Sequence, residues 1–135
     1  MTAMTALPAG LSYIHPEIGH CDHPEVASSP AGTFILFMFT PGAYDRDGIM
    51  HLNTAAQCYI LKKIDRAGVV HELRRWKSAD TAAWLRSHGA DPAKEQGKYG
   101  PWGLDIDGAD VVIVMNYRIN SCQTLLPWIE HGLAG

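Results

Sequence analysis

Four side chains able to ligate a soft metal fall within nine residues near the start of the chain: His15, His20, Cys21 and His23, in the run HPEIGHCDH, flanked by Glu17, Asp22 and Glu25. Zinc accepts imidazole, thiolate and carboxylate donors in a tetrahedron, so these residue types suit it. Their spacing matches no standard structural pattern. There is no HExxH and no CxxC pair, and completing a site requires a residue such as His51, Cys58 or His71 to arrive through the fold. The competing reading is a solvated, histidine-rich arm. A second candidate is Cys122, a nucleophile if it sits at the start of a helix, where a thiol pKa falls. Pro127 counts against that role. It favours a helix starting at Thr124, which leaves Cys122 in the connection as a small packed thiol.

Asp45-Arg46-Asp47-Gly48 and Asp105-Ile106-Asp107-Gly108 invite comparison with calcium loops. Both fail, because the first-position acid is replaced by Ala43 or Gly103 and the twelfth by Thr54 or Val114. They read as turns. No glycine-rich phosphate loop and no GxSxG elbow occurs, so no motif supports an enzyme. No cofactor is expected from motifs, zinc being the one candidate.

Charge is unevenly placed. Lys62, Lys63, Arg66, Arg74, Arg75 and Lys77 lie within sixteen residues against Asp65 and Glu72, a net of +4, whereas the remaining residues sum to −7. The same stretch reads as a β-hairpin, and a basic ribbon contacts phosphates, acidic protein surfaces or anionic ligands. Edge strands also carry Lys and Arg simply to block aggregation, which yields the same sequence without a partner. A pI of 6.1 and the absence of zinc-finger, RRM, KH or helix-turn-helix patterns favour a protein partner over nucleic acid.

The elements that must position these groups follow from periodicity and turn chemistry. Residues 1–32 hold four of the eight prolines and read as an extended or irregular arm ahead of a single domain over 33–135. Thr33–Thr40 is apolar on both alternating faces, as a central strand requires. Residues 41–54 read as a loop with a helical turn near Asn53. Gln57–Ile64 and Val69–Trp76, joined by Asp65-Arg66-Ala67-Gly68, form the hairpin. Ser78 or Asp80 caps a helix bearing Thr81, Trp84, Leu85 and His88 on one face and stopping at Gly89. Residues 98–108, with Tyr99 and Trp102 among three glycines and a proline, read as a long aromatic loop. Asp110–Ile119 is a second apolar strand, and a helix from Thr124 to Gly132 closes the chain. No internal repeat is apparent. The expected fold is α+β, with a mixed or antiparallel sheet of about four strands, two helices and an extended N-terminal arm.

At 135 residues the chain supports one core. Its longest apolar run, Phe34–Phe39, is far too short to span a bilayer, so no membrane association is expected. The opening MTAMTALPAGL lacks the charge and apolar stretch of a signal peptide, and three dispersed cysteines are no disulfide framework, which points to a cytoplasmic protein with reduced thiols. The first functional expectation is a small binding module that uses the basic hairpin, with Tyr99 and Trp102, to contact an anionic partner. The alternatives are a metal-dependent protein or small enzyme built on His15, His20, Cys21 and His23 or on Cys122, and a homodimeric small-ligand-binding domain.

Overall fold

A computed structural model describes residues 14–89, 100–119 and 122–135. Eight antiparallel strands form two sheets. The first contains β1 (Gly19–Ser29), β2 (Gly32–Tyr44), β3 (Met50–Leu52), β4 (Cys58–Asp65) and β5 (Val70–Lys77), in the order β1-β2-β4-β5 with β3 paired to the far end of β2. Helix α1 (Ser78–Ser87) then carries the chain to β6 (Gly100–Asp107), β7 (Asp110–Ile119) and β8 (Cys122–Glu130), which form the second sheet in sequence order.

β2 is central, as its composition demands. Successive side chains of a strand point to opposite faces, so one apolar run feeds two cores. Phe34 and Leu36, with Leu61 of β4 and Trp76 of β5, pack against Val111, Ile113 and Met115 of β7 between the sheets. Ile35, Phe37 and Phe39, with Cys58 and Ile60, form a second apolar layer on the outer face of the first sheet, and Ile14 lies in it. Removing one of these buried phenylalanines costs about 3–5 kcal/mol.

Helix α1 starts one residue ahead of the expected caps: its N-cap is Lys77 rather than Ser78 or Asp80, and Asp80, at the third helical position, accepts a hydrogen bond from the Lys77 amide at 2.9 Å. Thr81 and Leu85 are buried, and Gly89 adopts φ +84° just past the end, as expected. Trp84 stacks on Trp128 of β8 at 5.0 Å, and Trp128 meets Trp76 edge-on at 5.4 Å. Arg74 and Glu130 form an ion pair at 2.7 Å between β5 and β8, and β1 runs beside β6 at the other margin.

Several expectations are corrected. Among the described residues the fold has eight strands and one helix rather than about four strands and two helices. Residues 124–130 lie in strand β8, with Leu126, Trp128 and Glu130 half-buried and Leu125 and Ile129 exposed. Pro127 is tolerated there because β8 is an edge, where a missing N–H breaks no second ladder. From Gly100 onward the expected aromatic loop is strand β6, its glycine and proline absorbed by a register shift between Pro101 and Gly103. Residues 19–29, expected to belong to an extended or irregular arm, are paired with β2 as edge strand β1. Pro24 falls in the register shift between Asp22 and Glu25, where His23 takes φ +51°.

The expected loop at 41–54 is a short hairpin, β2–β3, ending in a 3-10 turn at Thr54–Ala56. Its turn and that of the β4–β5 hairpin are built alike. In DRDGIMH and DRAGVVH the leading Asp accepts amide hydrogen bonds from the second and fourth residues beyond it. Its other oxygen accepts the histidine six residues on, Asp45–His51 at 2.7 Å and Asp65–His71 at 2.8 Å. Gly48 (φ +81°) and Gly68 (φ +85°) supply the left-handed residue that this three-residue hairpin loop requires. The chain therefore does carry a short repeat, seven residues long.

Candidate metal and ligand site

On the outer face of the first sheet, strand alternation and one bulge gather a group of charged residues around the second apolar layer. Lys62 lies on the same face of β4 as Ile60 and Cys58. Opposite it is Glu72 and opposite Ile60 is Arg75; a register shift between Leu61 and Lys62 lets residues three apart on β5 share this face. The segment from Ile14 to Ile18 supplies the rest. Lys62 Nζ donates to the Ile14 carbonyl at 2.7 Å, and Arg75 Nη2 donates to Glu17 at 2.8 Å and to Glu72 at 2.7 Å.

His15 is the group whose needs are unmet. It is 2% exposed, meets Phe39 edge-on at 4.3 Å and Phe37 at 5.4 Å, and neither ring nitrogen has a hydrogen-bond partner among the described residues. Its Nε2 nevertheless approaches Glu17 Oε2 to 3.1 Å. An imidazole nitrogen and a carboxylate oxygen thus lie side by side with no hydrogen bond between them. Glu72 brings a third such atom, and the ligand atoms of His15, Glu17 and Glu72 lie within 4.8 Å of one another.

The directions in which the donors' pKa values move suit ligation. Burial, reinforced by Lys62, lowers the His15 pKa and keeps the ring neutral, the form that binds metals. The Arg75 hydrogen bonds hold both Glu17 and Glu72 below the usual carboxylate range, and those carboxylates raise Arg75 in turn. Burial lowers Lys62, which is 7% exposed. One nitrogen and two oxygens form a donor set that zinc, manganese or iron(II) accepts, with a coordination position left open.

The four ligands expected from sequence do not come together. His15 and Cys21 lie with the outer apolar layer, whereas His20 and His23 are exposed beside Asp22, at 3.8 and 3.4 Å from its carboxylate. Cys21 and Cys58 are free thiols whose pKa values are raised by burial. The side chains of Trp102 and Cys122, and the whole of Tyr99, lie outside the described residues. The six basic residues are also dispersed. Lys62 and Arg75 belong to the cluster, Arg74 pairs with Glu130, Arg66 donates to the Pro30 carbonyl and Lys63 lies 5.7 Å above the Phe34 ring, while Lys77 is exposed. Glu72 was missed in sequence as a ligand. Its only signal is that it is the lone acid on an otherwise basic strand.

Comparison with protein-family models, with curated proteins and with solved structures finds no match for this chain. No helix among the described residues is long and apolar enough to cross a membrane.

Proposed function

We propose that this chain is a metal-dependent binding domain whose site is the outer face of the first sheet, with His15, Glu17 and Glu72 as ligands to a divalent transition metal. One observation carries the reading: a buried histidine whose two nitrogens make no hydrogen bond, its Nε2 against a carboxylate at 3.1 Å. Leaving such a group unsatisfied costs about 1–3 kcal/mol, a cost that ligation removes. The outer-shell arrangement is consistent with this role, since charged partners hold both carboxylates in place. Zinc is the first metal to try. Titration of chelator-washed protein with zinc, followed by calorimetry and elemental analysis, is expected to give one ion per chain in the wild type and none in His15→Leu. Absence of binding by the wild type refutes the proposal.

A second reading keeps the β4–β5 hairpin as the contact surface for an anionic protein surface. It rests on Lys63, Arg66 and Lys77, which form no ion pair among the described residues. Changing Lys63 and Lys77 to Glu is expected to abolish capture of an acidic partner at low salt, and unchanged capture removes this reading.

A further inference from the structure

We infer that the site takes a phosphate group together with its metal, held jointly by the ion, Arg75 and Lys62. This inference rests on the metal reading above and adds the class of ligand. It follows first from charge. Without a metal, Glu17 and Glu72 balance Lys62 and Arg75. A divalent ion entering between His15 and the two carboxylates leaves the cluster at +2, at a site whose inner side is buried, with His15 2% and Lys62 7% exposed, and whose carboxylates are exposed. Uncompensated charge beside buried positions is unfavourable, so the loaded site favours an anion from outside the chain carrying about two negative charges.

Geometry points to the same partner. Three protein donors leave a tetrahedral metal with one open position. The same two carboxylates now accept from Arg75: its Nη2 donates to Glu17 Oε2 and Glu72 Oε1, and its Nε to Glu72 Oε2. A metal that draws these carboxylates toward His15 competes with Arg75 for their oxygens and releases Nη2 toward the open position. A planar guanidinium takes two oxygens of a phosphate in parallel, which a lone lysine does not. Lys62 stays in place, tied to the Ile14 carbonyl at 2.7 Å, and supplies the second cation. A phosphate dianion matches both the charge and the donors, and its source is either free phosphate or a phosphate monoester.

The test is thermodynamic linkage in the full chain. Cobalt(II) replaces zinc as a visible probe, and its affinity is measured by absorption titration in sulfonate buffer, with inorganic phosphate or with chloride at equal ionic strength. Phosphate is expected to tighten cobalt binding by about tenfold, with cobalt tightening phosphate binding by the same factor. Arg75→Lys keeps the charge but loses the fork, and is expected to reduce that factor several-fold. Should this variant not fold, the wild-type comparison of phosphate with chloride decides alone. Repeating the titration with phenyl phosphate separates the sources: an equal effect assigns free phosphate, a larger one a phosphorylated molecule. Cobalt binding that is the same in phosphate and chloride overturns the inference and leaves the metal site standing. No cobalt binding under any condition overturns both.

Discussion

Replacing His15 with Leu in chelator-treated protein is expected to stabilise it, although His15 sits among buried phenylalanines. The reasoning starts from its two unpartnered ring nitrogens, whose desolvation without hydrogen bonds costs about 1–3 kcal/mol. Leucine removes that cost and keeps most of the apolar contact. It forfeits the edge-on contact with Phe39 and the looser one with Phe37, an aromatic contribution of about 0.5–1.5 kcal/mol. The balance is a gain of about 1 kcal/mol at pH 7.5, or about 3–5 °C in Tm for a chain of this size. The gain should widen in acid. His15 is held below its ordinary pKa in the folded chain, so the unfolded chain takes up the proton first and folding weakens as pH falls below about 6.5. At pH 5.5 the wild type is therefore expected to have lost stability that the leucine variant keeps. Urea unfolding of both proteins at pH 7.5 and 5.5, with and without zinc, measures all of this. A variant less stable than wild type in chelator at pH 7.5, or an identical response to acid, refutes the claim that His15 is unsatisfied. Zinc should raise the wild-type midpoint and leave the variant unchanged.

Three further outcomes follow from the same contacts. Glu17 and Glu72 are held low by Arg75, so their contribution to stability is present above the ordinary glutamate value of about 4.3 and is lost as pH falls through their lower folded values; Arg75→Gln should flatten that acid limb in a pH series of unfolding curves. Cys58 is buried and its thiol is pushed up by burial, so alkylation at pH 8 should be far slower than for a free thiol and should accelerate in urea; labelling at the free-thiol rate in native protein contradicts the packing around Phe39 and Ile60. Gly48→Ala and Gly68→Ala should each cost about 1 kcal/mol by thermal unfolding, since nothing crowds an added methyl there and only the left-handed backbone opposes it; neutral substitutions contradict the turn geometry.

Local chemistry made part of this molecule legible. The β4–β5 hairpin followed from a turn with Asp at its start and Gly at its end between β-rich runs, and α1 from a capping acid, helical spacing and a terminal Gly89. β2 followed from a run apolar on both alternating faces, which no exposed element sustains. The paired D-R-x-G-x-x-H turns were equally local and could have been found by aligning the chain with itself, but two seven-residue matches are too short to read as an architectural repeat.

The strands β6 and β8 were a different matter. Gly103 and Pro127 look like breakers in isolation, and become acceptable only through a register shift against β7 and an edge position beside it. The candidate site is more remote still. Sequence proximity grouped His15 with His20, Cys21 and His23, whereas in the folded chain His20 and His23 separate from the outer layer. The groups near His15 are instead Glu17, a mere flank of the histidine run in sequence, and Glu72 from a strand over fifty residues away. The bulge beside Lys62 then puts Glu72 and Arg75 on one face, although plain alternation would put them on opposite faces.

The sequence by itself determined which segments turn, which run buried and where one helix starts and stops, because those depend on backbone sterics, capping and periodicity within a few residues. Only the tertiary structure decided which strands are edges, which charges neutralise one another and which histidine is left buried without a partner. Those properties depend on register between distant strands, and a shift of one residue in that register moves a side chain to the other face of the sheet.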